Sequence, residues 1–261
     1  MRIELGYGLD IIGDIHACYE EFMAMLEKLG YQENENGLYI HPEGRKILSL
    51  GDVMSRGPQS IDSMLFFLKH VDNGLAYMID SNHGWKIARW LDGRKVQLRH
   101  GDENVEEEFS NFERKYGGKE TAVLKSKLRK LLMEVPSHYI ITEEGKDKVV
   151  CAHAGIKEEF IGRENSKIKD FCRYGDVAGV DEKGKPIRRD WFKEYKGQQL
   201  IVWGHDPKPE PMIVNNTINI DQGAVFGGKL TCYRYPEKQF VFVDARKNYS
   251  GKIGADNPIG K

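Results

Sequence analysis

The run LDIIGDIHACYEEFMAMLEKLG, residues 9–30, decides how the chain is built. Its first part is a short apolar segment closed by Gly-Asp. Its second part places Phe22, Met23, Leu26 and Leu29 on one helical stripe that stops at Gly30. A strand followed by a helix, with an acid at the junction, is the unit this predicts. The unit recurs: KILSLGD (46–52) precedes SIDSMLFFLKHV (60–71), and LAYMID (75–80) precedes WKIARWL (85–91). Strands that alternate with helices predict an α/β fold. Further strand-like segments follow in HYIIT, DKVVCAH, QLIVWGH, TINIDQG, KLTCYRY and QFVFVDA, between residues 138 and 245. Between them, residues from about 104 to 135 are charged and helical, which predicts a small helical cap. A single domain over residues 1–246 is expected, with residues 247–261 as a flexible polar tail lacking periodicity.

Bulk properties narrow the function. The 261 residues carry 39 Lys+Arg against 40 Asp+Glu, a net charge of −1, so no global field recruits nucleic acid or an anionic membrane. An anionic substrate has to be held locally. The four cysteines form no CxxC pair, which fits small buried thiols in a reducing cytoplasm. No apolar run approaches the length of a membrane span, no apolar leader opens the chain, and no protein partner is evident.

Five apolar segments end in metal-ligating residue types. IIGDIH supplies Asp14 and His16, LSLGD supplies Asp52, YMIDSNH supplies Asn82 and His83, VVCAH supplies His153, and IVWGH supplies His205. Any one of these has an ordinary explanation, since an Asp after a strand commonly caps a turn and a lone His is commonly a hydrogen-bonded core residue. The set is harder to dismiss, because open α/β sheets bind ligands beyond the carboxyl ends of their strands. Carboxylate and imidazole together suit manganese, iron, zinc or cobalt, whereas oxygen alone suits magnesium or calcium. Asp52 falls mid-series and could bridge two ions. Arg56, in LGDVMSRGPQS (50–60), sits on a turn that Gly57 and Pro58 enforce, where its planar fork could reach a phosphate.

The blocks GDIHA, GDVMSRGP, SNHG, CAHAG and WGHDP resemble those of the calcineurin-like metallophosphoesterases, of the phosphoprotein phosphatase type. HPEGRKILSLGD, KIKDFCRYGDVAG, GKPIRRDW and NNTINIDQGAVFGGKLT are similar to bacterial PrpE-type bis(5'-nucleosyl)-tetraphosphatases and to the phosphatase module of bacterial polynucleotide kinase-phosphatases. The resemblance implies a β-sandwich flanked by helices, with the site at the strand ends. It implies two divalent ions, manganese foremost, with iron, zinc, nickel and cobalt as alternatives. Asp14, His16 and Asp52 would hold one ion, and Asp52, Asn82, His153 and His205 the other. His83 would protonate the leaving oxygen, Arg56 would clamp the phosphate, and Asp221 would orient a ligand histidine. A hydroxide held by the metal would attack in line. Arg188, in PIRRDW, is a further candidate phosphate contact.

The resemblance has gaps within the signature itself. Ser55 stands where the family has the Asp of DRG, the carboxylate that supports the acid histidine. Ser81 replaces the Gly of GNH, Gly84 follows the histidine where Asp is usual, and Ala17 replaces the Gly of GDxHG. A Ser at position 81 would be strained if the backbone there had positive φ. Of Asp80 and Asp206, acids where the pattern has none, one is the candidate substitute for the missing charge beside His83, the alternative being that both are solvated loop acids. The leading expectation is a hydrolase of bis(5'-nucleosyl) tetraphosphates. Nucleic-acid ends and phosphoproteins are alternative substrates, and a weakened relative that binds nucleotides or a partner is the alternative of another class.

Overall fold

The computed structural model describes residues 1–182 and 186–260. Two sheets face each other. The first runs β15 (Gln239–Asp244), β14 (Lys229–Tyr235), β2 (Leu9–Ile12), β5 (Lys46–Ser49), β6 (Ala76–Met78). The second runs β1 (Arg2–Glu4), β7 (His138–Glu143), β8 (Lys146–Ala152), β11 (Leu200–Trp203), β13 (Thr217–Asn219), β12 (Met212–Val214). Two short hairpins stand apart, β3 (Gln32–Glu33) with β4 (Tyr39–Ile40), and β9 (Asp176–Val180) with β10 (Pro186–Arg189).

The apolar runs of the central strands are continuous because both of their faces are buried. In β2, Ile11 belongs to the core between the sheets, with Leu48, Ile141, Val149 and Val202. Its neighbour Ile12 turns to the opposite face, as the two-residue period of a strand requires, and meets the helices. That outer layer holds α1 (Tyr19–Leu29), α2 (Ser60–Asp72), α3 (Asn82–Leu91), α4 (Glu103–Tyr116) and α5 (Gly118–Glu134). The buried face of α1 is Phe22, Met25, Leu26 and Leu29, so Met25 takes the place expected of Met23, which is only partly covered. On the far side, α6 (Ser166–Tyr174) and α7 (Trp191–Glu194) cover Val150, Ile201 and Trp203. The order is therefore helices, sheet, sheet, helices, a mixed α/β sandwich.

The helices α4 and α5 occupy the region expected to form a cap, but Val105, Phe109, Leu128 and Leu132 join the core of α1–α3. The residues after 246, expected as a flexible tail, are in part packed. Ile259 is buried, Asn257 Nδ2 donates to the Phe226 carbonyl, and the Tyr249 hydroxyl donates to Glu21. The composition is polar, yet one apolar anchor and one buried amide dock the segment. All four cysteines are free and buried. Among the described residues no helix is long and apolar enough to cross a membrane.

Within the first sheet β2, β5 and β6 are parallel, and within the second β8 and β11 are parallel. The five apolar segments thus come from two sheets. Their carboxyl ends share one end of the sandwich, because His153 Nδ1 meets the Leu50 carbonyl (2.9 Å) and the His205 amide donates to Asp14 Oδ2 (3.1 Å).

Candidate active site

The backbone at these strand ends is bent into conformations that side chains disfavour. His16, Ala17, Asp52, Ser55, Arg56 and His205 all have positive φ, between 45° and 73°. Such strain concentrates where surrounding structure enforces it and function uses it. Two glycines make room: a Cβ on Gly204 would lie 2.2 Å from Asp14 Oδ1, and one on Gly51 would lie 2.6 Å from the Ser81 Cβ.

Lone pairs converge here. Nδ1 of His153 faces the Leu50 carbonyl and Nδ1 of His16 faces that of Met54, so each carries its proton there and presents Nε2 inward. His153 Nε2 lies 2.8 Å from Asn82 Oδ1 and 3.1 Å from His205 Nδ1, and His205 Nδ1 lies 3.0 Å from Asn82 Oδ1. Asp52 Oδ2 is 3.4 Å from His153 Nε2 and 3.6 Å from His16 Nε2. Two acceptors such as His153 Nε2 and Asn82 Oδ1 do not rest at 2.8 Å unless a proton or a cation lies between them. Burial pushes His153 down and pushes His16 and His205 well down, which works against an added proton there, and a cation fits the arrangement.

The carboxylates point to the same conclusion. Burial, reinforced by Asp221 and Asp52, pushes Asp14 well above the usual carboxylate range, and its Oδ1 is buried without a partner. Burial also pushes Asp221 up to about 7, with Asp206 and Asp52 adding to it against the Gly223 amide. Burial would raise Asp52 as well, but His153, His83 and His16 outweigh it and hold that carboxyl low. Two groups of residues could each hold an ion, His16 with Asp52 and His83, and Asp52 with His153 and His205; Asp52 belongs to both.

His83 lies in the first turn of α3, and Asp52 Oδ1 accepts its amide (3.2 Å). Its Nδ1 meets Asp102 Oδ1 at 2.5 Å, and Arg56 Nη2 donates to its Nε2 (3.2 Å). The charge beside His83 is therefore that of Asp102, not of Asp80 or Asp206. Asp80 points the other way and binds Arg173 of α6 (2.6 and 2.7 Å), and Asp206 pairs with Lys208 (2.7 Å). Ser81 is not strained, since its φ is −142°; it caps α3, its hydroxyl accepting the amides of Gly84 (3.1 Å) and Asp52 (3.0 Å). A Cβ at position 84 would lie 2.9 Å from that hydroxyl, so Ser81 and Gly84 are one matched change.

Asp221 meets no histidine. Its carboxylate accepts the Gly223 amide (3.0 Å), while backbone carbonyls orient His153 and His16 instead. Arg188, on β10, donates to His205 Nε2 (2.8 Å) and lies 3.8 Å from Asp206. Asp102 escaped the sequence reading because it lies in a loop with no flanking periodicity. The only available signal was its Gly-Asp junction ahead of a helix, the same signature that ends β2 and β5.

The calcineurin-like phosphoesterase model matches residues 9–239. A relative from Geobacillus sp. (strain WCH70), named bis(5'-nucleosyl)-tetraphosphatase PrpE [asymmetrical], is 41% identical over 92% of this chain and 96% of its own. One of the same name from Anoxybacillus flavithermus is 44% identical over 92% and 95%. Among solved structures, a protein serine/threonine phosphatase from Saccharomyces cerevisiae superposes with a TM-score of 0.60 at 11% identity, over 95% of this chain and 83% of that one, a likeness of fold.

Proposed function

The chain belongs to the calcineurin-like phosphoesterase family, whose members use divalent metals, and from that premise we propose that it hydrolyses bis(5'-nucleosyl) tetraphosphates. Asp14, His16 and Asp52 would hold one ion and Asp52, Asn82, His153 and His205 a second, with manganese foremost. The observation that carries this is Asp52, which belongs to both clusters of candidate ligands, while Asp14, outside those clusters, reaches the same end of the sandwich through the His205 amide. Such ions neutralise phosphoryl oxygens and acidify water.

The chain's own groups supply the rest. Arg56 presents its guanidinium beside His83 and over the Phe226 ring, placed to hold a phosphoryl oxygen. His83 Nε2, which accepts from Arg56 here, would be released when Arg56 turns to the phosphate, take up a proton, and deliver it to the oxygen that leaves as the P–O bond breaks. A His205 ring that ligates through Nδ1 keeps its own proton on Nε2 and no longer accepts from Arg188, which leaves that guanidinium to the substrate. Arg188 also lines a cavity of about 540 Å³ in which Phe171 and Tyr174 stand beside both basic (Lys157, Lys167) and acidic (Glu159, Asp170, Asp176) side chains. The aromatic rings suit stacking of a nucleoside base. A cytoplasmic nucleotide pool is the setting this substrate implies.

The test is product analysis with diadenosine tetraphosphate and Mn²⁺. AMP with ATP is expected, as for an asymmetric cut, and Asp52→Asn should abolish it. Turnover of a 3'-phosphorylated nucleotide or a phosphopeptide in its place would redirect the substrate assignment. Metal uptake with no turnover would favour a binding protein.

A further inference from the structure

We propose that Asp102 is the positioning residue for the acid, and that Ser55 is its matched counterpart: the carboxylate that the signature loop lacks is supplied from the corner before α4. This rests on His83 being the acid. Asp102 is fully buried and its two oxygens are divided between two donors on one face of α3, His83 Nδ1 at 2.5 Å and Lys86 Nζ at 2.6 Å. Residues three apart share a helix face, so the helix aims both donors at one carboxylate. With one donor on each oxygen, the buried carboxylate has both of its oxygens engaged by α3. The Ser55 hydroxyl lies buried near it without a hydrogen-bond partner.

The same corner also grips the arginine. The Gly101 carbonyl accepts the Arg56 amide (2.8 Å) and Asn104 Nδ2 donates to the Arg56 carbonyl (2.8 Å). Gly101 has φ +90°, and a Cβ there would lie 2.6 Å from the Arg56 Cα. The corner and the first turn of α4 therefore fix both the ring that delivers the proton and the loop that carries the phosphate clamp. With Nδ1 bonded to Asp102, the His83 ring has one orientation and one tautomer, and Nε2 is the atom that gains and gives the proton. A second carboxylate at position 55 would crowd a like charge against Asp102.

An acid matters most when the leaving oxygen is basic, which separates this role from simple support of the fold. Asp102→Asn should lower kcat/KM for phenyl phosphate by roughly 100-fold, and that for p-nitrophenyl phosphate, whose leaving group needs little help, by less than about fivefold. Adding Ser55→Asp to Asp102→Asn should restore phenyl phosphate turnover, whereas Ser55→Asp alone should impair it. Low-field proton NMR gives a readout independent of turnover: the His83 Nδ1 proton, displaced downfield by its carboxylate partner, should be lost in Asp102→Asn and return in the double variant. Equal losses on both esters, or an unchanged Nδ1 resonance in Asp102→Asn, would overturn the proposal. If Asp102→Asn does not fold, the double variant decides: wild-type dependence on the leaving group supports relocation, and a selective loss on phenyl phosphate refutes it. Failure to cut the dinucleotide with these ester results intact would refute the substrate assignment alone.

Discussion

Two buried acids lie on either side of the end of β2 and live in opposite surroundings. Asp10, within the strand, is saturated with donors: Arg45 approaches with Nε and Nη2 (2.9–3.2 Å), Arg234 with Nε (3.0 Å) and Tyr31 with its hydroxyl (2.9 Å). Asp14, just beyond the strand, has one backbone donor, one orphaned oxygen, and other carboxylates as neighbours. The first cluster is complete within the chain and holds the fold. The second is short of positive charge, and a buried cluster of that kind fits a cation, as the proposed function requires. Burial alone does not distinguish the two; the balance of donors and acceptors does.

That contrast can be broken from either side. Asp52→Asn, which removes the charge common to both ligand groups, should lower phosphoesterase turnover by roughly 10³-fold or more while circular dichroism shows the fold retained. Arg45→Met in the other cluster should do the reverse. Leaving Asp10 short of its main partner should lower stability by about 3–5 kcal/mol in urea denaturation, with turnover per folded molecule unchanged.

A third change exploits the raised carboxyl of Asp221. In the folded chain it keeps its proton up to about pH 7, whereas in the unfolded chain it releases it near pH ~4. The resulting penalty on folding is absent below the lower value and complete above the higher one. In chelator-treated protein, Asp221→Asn should therefore stabilise by a few kcal/mol above pH 7, and the gain should fade toward pH 4. A gain independent of pH would show that the carboxyl is not strained by its neighbours. The smallest effect belongs to the cap: Ser81→Ala should cost about 1 kcal/mol, because the Gly84 and Asp52 amides lose their acceptor.

The strand ends were legible because a strand's apolar run and the polar residue that closes it are adjacent in sequence. Asp14, His16, Asp52, Asn82, His153 and His205 could be collected from five such junctions before their convergence was visible. Their arrival from two sheets rather than one was not legible, since no local pattern records which strands face each other. Asp102 was invisible for a related reason: its role depends on a loop folding back on α3, and a carboxylate 19 positions after its histidine has no periodic relation to it. Asp80 and Asp206 looked better placed by sequence adjacency, yet the turn before α3 and the strain at His205 aim them elsewhere. Ile259 shows the same limit at the tail, where one buried side chain outweighs a polar composition.

The most direct test of the central claim is calorimetric titration of the chelator-treated protein with Mn²⁺, run beside Asp52→Asn and Arg45→Met. Two ions per chain are expected in the parent and in Arg45→Met, with uptake lost or reduced to a single weak site in Asp52→Asn. Uptake unaffected by Asp52→Asn, or none in the parent, would contradict the assignment of the unbalanced cluster as the metal centre.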